Sequence, residues 1–326
     1  MNVRFLLIMV FLFAPVSACL FGADQPSDSL TMRDYRTVLK FSFENDLITY
    51  ANTDRYFTNG LSAELQAPWI RHSLLRKLMV PYRGSAAPTY AISIVQDMYT
   101  PSDTRIVPEL KNDRPYSSYL YMGFRQTSAN PVRRIAITSQ LDAGYIGPYS
   151  PGAYLQTRIH KLFPSNEAPL GWETQINSDI ILNYHLLASK AVLYSRSLVL
   201  LANLDARVGT LYDNAGAGFR LQAGRADPVF GLSAGESYPM SEYYFFASAH
   251  TTIVAYNALL QGGVFNRDNI FTLDGSQIYR LTVNAEFGIH LRYKGVSLEV
   301  AQHFLSPEFR GGYSHKWGRI SLFFTL

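Results

Sequence analysis

Hydrophobic and polar side chains alternate along the chain from about residue 39. In residues 39–46, Leu39, Phe41 and Phe43 occupy alternate positions, and the even-numbered positions from 40 to 46 are all polar. A period of two places successive side chains on opposite faces of a β-strand. The pattern therefore predicts a strand with one apolar face, and it assigns Asp46 to the polar face.

The next alternating run, residues 58–66, has the same character. Leu61 and Leu65 share its apolar face, whereas Thr58 shares the parity of the polar residues. If the polar faces of both strands point inward, Thr58 and Asp46 are expected to meet inside the sheet.

Similar runs continue to the end of the chain and number about twelve. They are near 39–46, 58–66, 92–97, 119–125, 135–142, 176–188, 192–209, 216–225, 241–257, 275–291, 294–305 and 313–326. Strands of roughly ten residues with one apolar face are typical of outer-membrane proteins. We predict an all-β, antiparallel, up-and-down transmembrane β-barrel of about 12 strands. A water-soluble barrel or sandwich would need a second layer over the apolar face, and no segment has that character.

The first 23 residues read as a secretory signal peptide. Arg4 supplies a positive charge, residues 5–13 form an apolar core, and small residues at 16–18 mark a cleavage region. Cys19 follows them, so a bacterial lipoprotein signal is the alternative. Cys19 is the single cysteine, which leaves no internal disulfide. The domain organisation is therefore a signal peptide at 1–23 and a barrel domain at 24–326.

Composition supports a membrane barrel and argues against a nucleic-acid partner. Aromatic residues make up 14% of the chain and include 22 tyrosines, which suits the interfacial girdles of such barrels. The net charge is only +4, and the signal peptide removes one basic residue. We expect an outer-membrane monomer with no nucleic-acid partner.

Polar residues gather at alternate strand ends. With the N-terminus in the periplasm, loops 47–55, 99–113 and 146–175 all lie at the extracellular rim. At the opposite rim, residues 68–87 combine apolar and basic side chains, which predicts a small amphipathic helix at the membrane interface.

Several blocks in this half of the chain together resemble one family. They are Asn45-Asp46, Tyr56-x-Thr58-x-Gly60, Gln96-Asp97-Met98-Tyr99, Asp113-Arg114-Pro115-Tyr116, Gly147-Pro148 with Gly152, Gln156-x-x-x-His160, and Gly171-Trp172. In this order they resemble the LpxR family of lipid A 3′-O-deacylases. The resemblance implies a twelve-stranded outer-membrane barrel that removes the 3′-linked acyloxyacyl group from lipid A by calcium-dependent ester hydrolysis. It also implies a site near the extracellular rim.

The resemblance assigns roles to individual residues. It implies that His160 activates a water molecule, and a histidine titrates near ~6.5 when unperturbed, so its neutral ring can accept a proton. Asn45, Asp46 and Thr58 complete the catalytic set, and Glu167 matches a family acid with one additional residue of spacing. Asn45 and Asp46 offer the oxygen ligands that Ca²⁺ prefers.

Substrate contacts are expected from the second predicted outer loop. Arg105, Lys111 and Arg114 could bind the phosphates of lipid A, since guanidinium and ammonium groups suit phosphate oxygens. Asp97 is a further candidate in the polar network. Solvated loop charges are the plainer interpretation of these residues.

Two other function classes stay open. A serine esterase of the outer-membrane phospholipase type could use Ser150 or Ser117 with a histidine from the barrel. A channel or structural surface barrel could carry the same polar rim without catalysis. The concentration of polar blocks in three loops favours the deacylase over a channel, whose selectivity charges would surround the lumen.

Overall fold

The twelve strands form one closed antiparallel barrel. A computed structural model describes residues 36–49, 55–85, 88–104, 113–162, 169–226, 229–230 and 240–326. Each strand pairs with the next in sequence, and the first pairs with the last. The strands are β1 (Val38–Asn45), β2 (Tyr56–Gln66), β3 (Thr89–Thr100), β4 (Ser117–Asn130), β5 (Ile135–Ile146), β6 (Asp179–Tyr194), β7 (Leu198–Gly209), β8 (Tyr212–Arg225), β9 (Ser241–Asn257), β10 (Leu281–Tyr293), β11 (Val296–Leu305) and β12 (His315–Thr325). The predicted fold is confirmed.

The alternating pattern sorts side chains between the outer wall and the interior. At the seam between β1 and β12, Phe43 lies opposite Ile320 on the outer wall, while the hydroxyls of Ser42 and Ser321 hydrogen-bond inside at 2.8 Å. Leu204, halfway along β7, is 64% exposed on the outer wall. An apolar wall of this kind suits contact with lipid tails.

Charged side chains pair with one another inside the barrel. Arg319 contacts both Glu286 and Glu299, and Arg220 reaches the same Glu286 at 3.0 Å. Arg125 pairs with Glu64 at 2.6 Å. Ionised groups enclosed in a barrel need partners, because an isolated buried charge is very costly.

An apolar plug fills one mouth of the barrel, which we call the upper rim and which contains the ends of β1 and β3 and the starts of β2 and β4. The short helix α2 (Ala258–Gln261) folds into this mouth, where Leu259 and Leu260 are fully buried. Leu259 packs with Tyr119 and Ile146 on the inner wall. The interior is thus occupied by side chains at this end.

The segment after β2 wraps the outer wall at the lower rim. It forms two 3₁₀ turns, Pro68–His72 and Leu74–Leu78, in place of the predicted amphipathic helix. Ser73 between them has extended backbone (φ −60°, ψ 140°), which interrupts the helix. The side chains of Trp69 and Leu74 are exposed, as an interfacial segment requires.

The largest departures from the predicted strand boundaries lie at the hairpin between β6 and β7 and at the start of β10. The hairpin between β6 and β7 turns at residues 195–197, because Ser189 remains paired with Ala136 in mid-strand. Strand β10 begins at Leu281 instead of 275, since residues 275–277 form a turn. The predicted signal peptide lies outside the described residues.

The helix α1 (Gly152–Leu162) lies in the connection between β5 and β6. Within the described parts of the chain, no helix has the length and apolar character needed to cross a membrane.

The outer wall should tolerate a smaller apolar side chain but not a charge. Leu204→Arg should lower the free energy of unfolding in lipid vesicles by about 2–4 kcal/mol, because its charge would lie near the bilayer centre. Leu204→Ala is the matched control and should cost much less. Urea unfolding followed by tryptophan fluorescence measures both. Equal losses for the two variants would show that this wall does not face lipid.

Candidate active site on the outer wall

The polar residues at the end of β1 lie beside those at the start of β2. Asn45 is the last residue of β1, and Asp46 begins the 3₁₀ turn Asp46–Ile48. The side-chain amide of Asn45 donates to the carbonyl of Thr58 at 3.0 Å. All three side chains are buried, and Asp46 is only 1% exposed.

A β-bulge changes the face on which Thr58 lies. The register of β2 against β3 shifts between Phe57 and Asn59, so Thr58 is an extra residue in β2. Its hydroxyl lies 2.9 Å from that of Thr100, which shares the outer face of β3 with Met98. The predicted inward position of Thr58 is therefore wrong, because one inserted residue reverses the alternation.

The position of Asp46 also departs from the predicted meeting inside the barrel. Strand β1 ends at Asn45, which shares the outer face with Phe43, so the alternation does not extend to Asp46. The turn that Asp46 begins folds against β12 and β11. Ile48 contacts Gly318, and its carbonyl accepts a hydrogen bond from Gln302 at 3.1 Å.

Helix α1 covers the neighbouring part of the wall. Gly152 lies directly against Ser118, and a Cβ at position 152 would be 2.4 Å from the Cβ of Ser118. Trp172, in the next 3₁₀ turn, packs with Met98 of the wall and donates from its indole nitrogen to Gln156 at 2.6 Å. Helix α1 and Trp172 therefore pack against the outer face of the wall.

Several buried polar atoms in this region lack hydrogen-bond partners among the described residues. They are the side-chain oxygen and nitrogen of Asn59, the hydroxyl oxygen of Ser118 and the side-chain amide nitrogen of Gln156. Each of these residues is at most 2% exposed. Since most buried polar groups in proteins are hydrogen-bonded, such a concentration indicates a place where water or a polar ligand binds. The alternating pattern did not single out Asn59 or Ser118 as site residues, because each is one polar residue within a strand.

The structure places the remaining predicted residues as follows. His160 lies in α1, one helical turn after Gln156. Glu167, Arg105 and Lys111 lie outside the described residues.

Arg114 and Asp97 lie on the other side of the wall. Arg114 is 1% exposed, pairs with Glu308 and stacks over the ring of Tyr99 at 4.2 Å. Burial opposes its charge, but the Glu308 carboxylate raises the pKa of Arg114 overall. Asp97 accepts a hydrogen bond from Tyr119 on the inner face. Both residues are therefore separated from the polar cluster on the outer wall, which consists of Asn45, Asp46, Thr58, Asn59 and Ser118. Their substrate-binding roles stay predictions, and the burial of their side chains inside the barrel does not favour these roles.

The oxygen atoms of the cluster suit a hard cation. Asp46 supplies a carboxylate, and Asn45 and Thr58 supply neutral oxygens, which are the ligand types that Ca²⁺ takes. No group of three or more His, Cys, Asp or Glu side chains with metal-binding geometry occurs among the described residues. A calcium ion bound here would therefore need further oxygens from the backbone, water or substrate.

The hydroxyls of Ser117 and Ser150 make no hydrogen bond to any histidine whose side chain is described. The Ser117 hydroxyl faces the interior and reaches the carbonyl of Leu259 at 3.5 Å. His250 pairs with Asp205 at 2.7 Å, and His303 stacks on Trp317. These histidines are engaged inside the barrel.

Comparison with known proteins identifies the family. The profile described as Outer membrane protein LpxR matches residues 5–326. The chain belongs to the LpxR family. The structure of LpxR from Salmonella typhimurium is similar with a TM-score of 0.73 and 22% sequence identity, covering 89% of this chain and 100% of that chain. The barrel is therefore an outer-membrane protein with the LpxR fold.

Other solved outer-membrane barrels are less similar. The β domain of the Bordetella autotransporter BrkA has a TM-score of 0.43 at 10% identity, covering 90% of this chain and 100% of that chain. No curated protein sequence matches the chain.

The close contact at Gly152 should control how α1 sits on the wall. Gly152→Ala should weaken docking by about 1–3 kcal/mol, because the added methyl group overlaps Ser118. Amide hydrogen exchange in residues 152–158 should then be on the order of 10- to 100-fold faster. Adding Ser118→Gly should restore slow exchange by removing the overlapping atoms. Fast exchange in both variants would refute the contact.

Proposed function

We propose that the protein is a lipid A 3′-O-deacylase that hydrolyses the ester of the 3′-linked acyloxyacyl group. Family membership supports this function, and so does the ordered set of polar blocks from Asn45 to Trp172. In this proposal the upper rim faces the cell exterior, where lipid A forms the outer leaflet. LpxR from Salmonella typhimurium, the similar solved structure, has the same fold.

The observation that carries the proposal is the location of the polar cluster on the outer wall of the barrel. Asn45 and Thr58 lie on the same side of the sheet as Phe43 and Leu61, which are suited to lipid contact. A substrate anchored in the bilayer can reach this wall laterally without entering the lumen. A site inside the plugged barrel would require the lipid to leave the membrane.

In the proposed reaction, the neutral imidazole of His160 accepts a proton from water while the water oxygen attacks the ester carbonyl carbon. The bond between this carbon and the sugar oxygen then breaks. The imidazolium gives its proton to the departing sugar oxygen, which leaves as a hydroxyl, and the acyloxyacyl group is released as the free acid. Helix α1 carries His160, and its first turns pack against the wall at Gly152 and beside Trp172.

The oxygens of Asn45 and Asp46 would hold a cation that offsets the developing negative charge on the ester oxygen. The Asn45 amide is held in place by its bond to Thr58, and the buried Asp46 offers the one carboxylate of the proposed ligand set. When bound by these oxygens, Ca²⁺ would polarise the ester carbonyl. Glu167 would orient His160, and Arg105 and Lys111 would hold lipid A phosphates.

The other function classes receive less support. A channel needs an open lumen, whereas Leu259 and Leu260 fill the upper mouth. A serine esterase needs a base beside its nucleophile, and Ser117 bonds to a backbone carbonyl inside the barrel. The monomeric state is likewise part of the proposal.

Replacement of His160 tests the base directly. His160→Asn should reduce ester hydrolysis by about 10²- to 10⁴-fold and leave the folded barrel intact. His72→Asn, at an exposed position on the lower rim, is the matched control. Mass spectrometry of lipid A incubated with each purified variant measures the reaction.

Replacement of the two serines separates the mechanisms. Ser150→Ala and Ser117→Ala should retain activity close to that of the unmodified protein. An inactive serine variant with a trapped acyl-enzyme, together with an active His160→Asn variant, would establish a serine esterase instead.

Removal of divalent cations tests the proposed cofactor. Chelation should abolish hydrolysis, and added Ca²⁺ should restore it, since Asp46 and its neighbours are oxygen ligands. Asp46→Asn should raise the calcium concentration for half-maximal activity at least about tenfold. Asp268→Asn, at an exposed position, should leave the calcium dependence unchanged. Full activity in excess chelator would exclude calcium from the mechanism.

A further inference from the structure

An apolar groove of about 460 Å³ lies on the outer wall below the polar cluster. Strands β12, β1, β2 and β3 form it, so it crosses the seam where the barrel closes. Its apolar lining consists of Phe41, Phe43, Leu61, Ile94, Ile320 and Leu322. Ala63 lies between Phe41 and Ile94 in the strand register, and its small side chain leaves room for the depression.

Gln96 interrupts the apolar lining at the upper end of this groove. Along one row of the register, the residues are Ile320, Phe43, Leu61, Gln96 and Leu120. Gln96 is 4% exposed and lines the groove. Neither its amide oxygen nor its amide nitrogen has a hydrogen-bond partner among the described residues.

An unpaired carboxamide is costly on a wall that faces lipid. Lipid tails offer no hydrogen bonds, and a stable buried water needs two to four polar partners, which this apolar lining does not supply. The Gln96 amide can donate and accept, so an oxygen-bearing group of a ligand could satisfy it. The position of Gln96 therefore indicates a mostly apolar ligand that has an oxygen atom level with the Gln96 amide.

The groove is continuous with the candidate active site. Gln96 precedes Met98 by two residues on β3, and Met98 lies opposite Asn59 in the polar cluster. Two residues of a strand span about 6.6 Å. An acyl chain with its ester carbonyl at the cluster would thus pass Gln96 near its carbonyl end and continue into the groove.

We propose that this groove binds the fatty acyl chain next to the ester that is cut, and that Gln96 hydrogen-bonds to an oxygen substituent near the carbonyl end of that chain. Such an oxygen occurs in 3-hydroxyacyl and 3-acyloxyacyl groups and is absent from a simple fatty acyl group. Gln96 then selects oxygen-bearing chains, and the groove holds their tails. This inference rests on the proposed deacylase function.

A matched set of three substrates tests the selectivity for an oxygen substituent on the acyl chain. Three synthetic lipid A esters differ only at carbon 3 of the acyl chain, which carries a hydroxyl, an acyloxy group or hydrogen. The unmodified protein should cleave at least one oxygen-bearing ester faster than the third, measured as kcat/KM. Gln96→Met, which keeps the side-chain length, should lower the favoured rate roughly 2- to 10-fold. Its rate on the unsubstituted ester should not fall.

The same data separate the two proposals. Hydrolysis of any ester by the unmodified protein supports the deacylase function, whatever the selectivity. The ratio of kcat/KM for the oxygen-bearing esters to that for the unsubstituted ester is compared between the two proteins. An equal ratio in the unmodified protein and in Gln96→Met would overturn the role of Gln96 while leaving the deacylase function intact. The hydroxyl and acyloxy substrates show which oxygen is bound.

Photo-crosslinking tests the groove without requiring turnover. The probe is the favoured ester with a diazirine at the end of its acyl chain, mixed into detergent micelles with the purified barrel. Labelling should concentrate on peptides that contain Phe41 or Leu322, and Ala63→Trp should reduce it several-fold by filling the depression. Leu204→Trp, on the far wall, is the matched control and should not. Uniform labelling around the barrel, including peptides that contain Leu204, would show that the probe contacts the wall without preference. That result would overturn the proposal that the groove binds the acyl chain.

Discussion

The closed ladder of backbone hydrogen bonds is the constraint on which the rest of this structure depends. Within the lipid bilayer, an unpaired peptide group cannot form a hydrogen bond with water, so an open sheet edge is not tolerated. The register of β1 against β12 removes the last edges, with Val38 opposite Thr325 and Asn45 opposite Gly318. Once the ladder is closed, the strand period alone decides which side chains face lipid and which face each other inside.

Closure also explains why the polar cluster lies outside the barrel. The interior is occupied by ion pairs around Glu286 and by the apolar plug of α2, which together support the wall. On the exterior, the polar cluster lies where strands end and connections fold back over the wall. Helix α1 and the turn at Asp46 lie in such connections.

The fold could be predicted from the sequence because period-two alternation has a single physical meaning in a chain with no second layer. The strand number followed from it. The side of the wall on which Thr58 lies did not, because one bulge residue between Phe57 and Asn59 reverses the face and leaves no mark in the hydrophobic pattern. Gln156 and Trp172 were visible as motif residues, but their mutual hydrogen bond depends on a contact between segments far apart in space.

The support of the Asp46 turn by the last two strands has a consequence for biogenesis. Ile48 rests on Gly318 of β12, and its carbonyl is held by Gln302 of β11. Gln302 follows Ile48 by 254 residues in the chain, so the turn at Asp46 gains this support only after β11 and β12 have joined β1. A newly exported chain in transit through the periplasm would lack this support. Completion of the candidate site would then coincide with closure of the barrel.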